Sequence, residues 1–261
     1  PGNLQYKRDM NKRWGIIIII VVLLLTSCGP NNPDSSDKGG EIVVSGPTKI
    51  IPSPTPTNTP TPQPKARFTI GEQDILYGDY KSALNEFWTA REQSTDPEVI
   101  ASAQLGVGRI LLLQADYNGA IEQLTWLQDN FTEGDARNTA YYYLAQAYEG
   151  LQQYGVAADA YGKYVESQPG PLDSEILEMK GDALLLAGEP GKARDAFLAA
   201  KSVATQARMG SLEIKAARAA VDAGDNEDAI NRYLSLIEGS ASEPVQVQAN
   251  FLLGQLYLGL G

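Results

Sequence analysis

From residue 66 onward, apolar positions recur at the three- and four-residue spacing of a helix face, and the whole pattern repeats every 36 or 37 residues. A small residue stands at Gly71, Gly108, Ala145, Gly181, Ala217 and Gly254, at intervals of 37, 37, 36, 36 and 37. Twelve residues after each of the first five comes an alanine: Ala83, Ala120, Ala157, Ala193 and Ala229. Four residues later follows a large apolar side chain, Phe87, Leu124, Tyr161, Phe197 or Tyr233. Three further on stand Ala90, Leu127, Tyr164, Ala200 and Leu236. Residues three and four apart are neighbours on a helix surface, so each unit predicts two amphipathic helices divided by a break. The breaks read Gly78-Asp79-Tyr80, Ala115-Asp116-Tyr117, Gln152-Gln153-Tyr154, Gly188-Glu189-Pro190 and Gly224-Asp225-Asn226. Glycine suits a helix C-terminus and an acidic residue the next N-terminus. Pro97, Pro169 and Pro244 are expected to close the second helix of three units, because proline stops propagation.

The chain before residue 66 follows a different pattern. Ile16 to Leu25 is an unbroken aliphatic run, preceded by Lys12, Arg13 and Trp14 and followed by Thr26-Ser27-Cys28-Gly29. It is too short for a transmembrane helix, which needs about 20 apolar residues, and it has the basic start, apolar middle and small-residue end of a secretory signal. Met10 is the expected translation start, so residues 1–27 read as a signal peptide. Leu25-Thr26-Ser27-Cys28 resembles the lipobox of bacterial lipoproteins. That resemblance implies diacylation of Cys28, cleavage before it, and attachment to the outer face of the cytoplasmic membrane or to the outer membrane. Two acyl chains suffice for stable anchoring at about 0.8 kcal/mol per buried methylene.

Residues 28–65 are rich in Pro, Thr, Ser and Asn and hold nine of the fifteen prolines. Each proline removes a backbone donor and fixes φ, so this segment reads as a disordered tether sampling polyproline II. As a flexible coil it would span roughly 33 Å.

Composition narrows the chemistry. The 261 residues include no histidine and one cysteine. These counts exclude Ser-His-Asp and Cys-His sites, His-ligated zinc and any intramolecular disulfide. Residues 28–261 carry 17 basic against 31 acidic side chains, a net charge of −14 with no basic stripe, which argues against nucleic acid as a partner. No cofactor is implied.

The helix-pair pattern resembles the tetratricopeptide repeat, whose signature places large, small and aromatic residues at fixed offsets in two helices. The third unit carries the likeness best, with Tyr141, Leu144, Ala145 and Tyr148 in the first helix and Ala157, Tyr161 and Pro169 in the second. Two departures are the longer period and the missing large first-helix aromatic in units four and five. The resemblance implies an all-α, right-handed α-solenoid of about five and a half repeats over residues 66–261. It also implies a concave face, lined by first helices, that binds a protein or peptide partner. Carried over by position, the partner-binding groove comprises Phe68, Glu72 and Ile75; Leu105, Arg109 and Leu112; Tyr142, Gln146 and Glu149; Glu178, Asp182 and Leu185; and Ile214, Arg218 and Val221. Of these, Arg109, Tyr142, Asp182 and Arg218 are the strongest candidates for partner contacts. The Lys and Asn pattern of the family's two-carboxylate clamp is absent.

The sixth unit reaches only its first helix, so Phe251, Leu252, Leu256 and Leu258 are expected to leave apolar surface uncovered and the gene product to continue past Gly261. The expected function is a lipid-anchored scaffold in the cell envelope, without catalysis within these residues. A second expectation follows from Glu166-Ser167, which is similar to the start of the catalytic motif of lytic transglycosylases. The downstream part of that motif is missing. A secreted helical solenoid nevertheless resembles their noncatalytic N-terminal arm, which would associate with peptidoglycan and carry its catalytic domain beyond Gly261.

Overall fold

The computed structural model describes residues 61–239 and 241–261, so the expected signal peptide, the expected lipidation site Cys28 and most of the expected tether lie outside the described residues. The described residues contain eleven α-helices and no strand. The first helices of the six units are α1 (Pro64–Tyr77), α3 (Pro97–Leu113), α5 (Asp135–Gly150), α7 (Asp173–Leu186), α9 (Gln206–Asp222) and α11 (Glu243–Leu260). The second helices are α2 (Tyr80–Gln93), α4 (Tyr117–Asn130), α6 (Tyr154–Ser167), α8 (Pro190–Ser202) and α10 (Asn226–Glu238).

Every break within a unit closes the same way. Gly78, Ala115, Gln152, Gly188 and Gly224 all take the left-handed conformation, with φ between 59° and 79°. In each, the next residue's backbone N–H bonds back to a carbonyl five residues earlier, as Asp79 does to Asp74 and Gln153 to Tyr148. This arrangement satisfies the orphan carbonyls of a helix end. Asp79, Asp116 and Asp225 then begin the following helix by accepting the backbone N–H of Ser82, Gly119 and Asp228. Gln153 and Glu189 make no such cap.

The prolines depart from expectation. Pro97 and Pro244 open α3 and α11 rather than closing the helices before them, and only Pro169 follows a helix end. The first turn of a helix has no partner for the missing N–H, so proline is favoured there. Pro64 likewise starts α1 two residues before the expected boundary.

The repeated small residue is a seat for the large apolar side chain sixteen positions later. Phe87, Leu124, Tyr161 and Phe197 are fully buried, and Tyr233 is 1% exposed. A Cβ added at Gly181 would stand 2.5 Å from a ring carbon of Phe197. Phe87 is held on two sides, since Cβ atoms at Gly71 and Gly106 would fall 2.7 and 2.6 Å from its ring. Each second helix therefore packs against its own first helix and the next one.

In units one, two and five a polar pair stands where unit three has its aromatic. Arg67, Gln104 and Glu213 occupy the position that Tyr141 fills in unit three, and each bonds to the residue nineteen positions later. Arg67 Nη1 donates to Glu86 at 2.8 Å, Gln104 Nε2 to the Gln123 side chain at 3.0 Å, and Arg232 Nη1 to Glu213 at 2.8 Å. Glu213 is 6% exposed and its second oxygen meets Lys201, which compensates the buried charge.

Candidate functional site: the inner face of the solenoid

Consecutive first helices pack directly on one another between α1 and α3, α3 and α5, and α9 and α11, whereas second helices do not pack closely on each other. The side on which like helices approach is the inside of the curve, so the first helices form the inner face. Along it run repeat-equivalent rows. One row holds Ile75, Leu112, Glu149, Leu185, Val221 and Leu258, all aliphatic except Glu149.

Of the predicted groove residues, Phe68, Glu72, Leu105, Arg109, Tyr142, Gln146, Glu178 and Asp182 are half-buried on this face, as are Ile75, Leu112, Glu149, Leu185 and Val221, while Arg218 is exposed. Ile214 is corrected. It is 3% exposed and packs in the core with Ala217, Ala220 and Tyr233. Its row reaches the core there because Ile214 closes against α10 and α11. Tyr142 sits among three rings, 5.3, 6.1 and 5.9 Å from those of Tyr143, Tyr161 and Tyr164, so much of its surface is spent on packing. In the last unit Phe251 and Leu258 are exposed, but Leu256 is 8% exposed and belongs to the core.

The charges on this face are mostly paired. Arg109 Nη1 donates to Glu72 at 2.8 Å, and its guanidinium lies 5.8 Å from the centre of the Tyr143 ring. Lys215 donates to both oxygens of Asp182 at 2.8 Å and meets Glu178 at 2.7 Å. Arg208 pairs with Glu175 and Glu178. Burial alone would raise the Glu178 carboxyl, but the hydrogen bonds and charges of Lys215 and Arg208 outweigh it and hold it below the usual range. These cations bridge α9 to α7, two helices whose backbones do not pack as closely as α1 and α3 do.

Glu149 is the exception. Its Oε2 accepts a hydrogen bond from the buried Tyr161 hydroxyl at 3.2 Å, and no cation among the described residues pairs with it. Burial pushes its carboxyl up to about 7, the Tyr161 bond opposes that push, and the charge of Asp182 adds to it. The periodic pattern identified the row but not the state of this residue, which depends on three helices meeting.

No group of three or more Cys, Asp or Glu among the described residues is placed to hold a metal, and no described helix is long and apolar enough to cross a membrane. Glu166 is exposed near the end of α6, and the Ser167 hydroxyl bonds to the Tyr164 carbonyl, an ordinary helix-end contact.

Comparison with known proteins agrees with this architecture. The family model for the tetratricopeptide repeat matches residues 108–170, 142–208 and 214–261. No curated protein sequence matches the chain. Among solved structures, YrrB, described as a repeat protein of this kind with an unusual peptide-binding site, is 17% identical; the match covers 70% of this chain and 90% of that one, with a TM-score of 0.52. MamA is 20% identical over 65% of this chain and 93% of its own, with a TM-score of 0.51. PilF of Pseudomonas aeruginosa is 14% identical over 74% and 84%, also at 0.51. At these identities the likeness is one of fold.

Proposed function

The chain belongs to the tetratricopeptide repeat family, and on that premise we propose that it is a scaffold, tethered to a membrane of the bacterial cell envelope through lipid on Cys28, that binds a protein or peptide partner on its inner face. The observation carrying the binding role is the set of half-exposed, repeat-equivalent rows on the first helices. An extended segment crossing six such helices meets the same side-chain position at each step, which is how solenoids recognise partners. YrrB, which shares the fold, is described as having a peptide-binding site. The second half of the reading is supported by the sequence, in the lipobox-like Leu25-Thr26-Ser27-Cys28 and the proline-rich residues 28–65 that follow. The role needs no catalysis within these residues.

Two experiments test the two halves. A photocrosslinking side chain at Gln146 on the inner face should capture a protein in cells, while one at Asp159, exposed on α6, should not. Equal capture from both would place the partner elsewhere. Cys28→Ser should move the protein out of the membrane fraction, and unchanged retention would remove the lipid anchor from the reading.

A further inference from the structure

The array is acidic as a whole, and its inner face holds a carboxylate that no cation among the described residues pairs with. Residues 61–261 carry 15 basic and 28 acidic side chains, a net charge of −13, which draws cationic partners towards the molecule. Within the face, however, most charges are spoken for. Glu72 holds Arg109, and Glu178 and Asp182 share Lys215. Of the carboxylates among the groove residues the remaining one is Glu149, the single polar member of a row otherwise made of Ile75, Leu112, Leu185, Val221 and Leu258. Its hydrogen-bonding partner is the neutral Tyr161 hydroxyl, and a neighbouring charge is that of another acid, Asp182. A buried carboxylate is ordinarily compensated by a cation or by several donors. Glu149 has one donor, and it stands at a position where its five repeat counterparts offer only hydrocarbon.

We infer that the partner segment bound on the inner face presents one lysine or arginine to Glu149, with aliphatic side chains before and after it on the flanking row of Ile75 and Leu112 on one side and Leu185 and Val221 on the other. This inference rests on the inner-face reading above and names the chemistry of its occupant. The arriving cation supplies the missing counter-charge, in a setting where burial strengthens the pair relative to water. The row thus reads as two apolar subsites, one anionic subsite and three apolar subsites, a pattern that sets both the composition and the register of the bound chain.

The test is a selection of random twelve-residue peptides displayed against the immobilised full chain, run in parallel on wild type, Glu149→Gln and Leu112→Asp. The expected wild-type pool carries a single Lys or Arg flanked by Leu, Ile, Val or Phe. The Glu149→Gln pool is expected to keep the aliphatic flanks and lose the basic residue. A synthetic peptide from the wild-type pool should bind Glu149→Gln about tenfold more weakly, and acetylation of its lysine should cost about the same in wild type and little in the variant. A wild-type pool without a basic residue, or one whose basic residue persists on Glu149→Gln, overturns the inference while leaving the groove in place. Pools unaffected by Leu112→Asp overturn the inner-face reading itself.

Discussion

Gly181 gives a direct measure of how tightly the repeat seat is built. A methyl group there would stand 2.5, 2.7 and 2.8 Å from three ring carbons of Phe197, against about 3.5–4.0 Å for carbons at their optimal separation. The overlap is therefore about 1 Å, and Phe197 is fully buried among Ala193, Ala196, Ala216 and Ala219 with no room to withdraw. Overpacking of this kind costs about 1–3 kcal/mol. Alanine in place of glycine inside a helix returns up to about 1 kcal/mol. Gly181→Ala should thus lose about 1–2 kcal/mol. Gly254 stands at the equivalent position in the last unit, but a Cβ there meets no atom within 4 Å, so Gly254→Ala should gain up to about 1 kcal/mol from propensity alone. In urea unfolding followed by circular dichroism, the two variants should move the midpoint in opposite directions and differ by about 1 M. Midpoints shifted in the same direction by similar amounts would refute the claim that the seat is sterically full.

Glu149 makes stability depend on pH. Its folded carboxyl lies at about 7 against an ordinary 4.5, so the folded state binds its proton more tightly and the contribution to folding, present below about 4.5, is lost as pH rises through 7. The groups facing it are Tyr142 on α5, Tyr161 on α6 and Asp182 on α7, the last paired with Lys215. The loss amounts to roughly 3 kcal/mol at most, and urea titrations at pH 5 and pH 8 should show it shrink in Glu149→Gln; an unchanged pH dependence in that variant counts against it. Gln152 holds a left-handed φ of 60° without being glycine, so Gln152→Gly should raise the melting temperature through a gain of about 0.5–1 kcal/mol. Gln153→Asp should add about 1 kcal/mol by capping α6 as Asp116 caps α4, and no rise would mean the Tyr154 backbone end is already satisfied. Glu213→Ala leaves Lys201 and Arg232 without their shared partner and should cost about 3 kcal/mol in the same unfolding assay. Reversal of the equivalent pair, Arg67→Glu with Glu86→Arg, should recover most of the loss seen in either single change.

The period of the chain was enough to place the eleven helices of the described residues and every break within a unit, because a repeat presents the same contact many times and each copy reinforces the pattern. The large-on-small seat was visible for the same reason: Gly71 with Phe87 and Gly181 with Phe197 are one contact written twice. Thirteen of the fifteen groove residues were likewise half-buried on the inner face because first-helix positions are equivalent from unit to unit, and Arg218 was exposed there. What the period could not show is what breaks it. Ala115 and Gln152 turn left-handed where glycine does so elsewhere, since the surrounding helices determine the turn and tolerate its strain. Pro97 and Pro244 open helices because the chain bends just before them, a choice that proline's fixed φ permits in either role. Ile214 entered the core through its contacts with α10 and α11. The pairs Arg67–Glu86, Gln104–Gln123 and Glu213–Arg232 were present in the sequence as complementary residues nineteen apart, yet nothing local favours that spacing. Only the packing of α1 on α2, α3 on α4 and α9 on α10 brings them together. Glu149 is the extreme case. Its position follows from the repeat, but its state follows from Tyr161, Asp182 and the apolar row around it, because burial and charge are summed over neighbours in space, not along the chain.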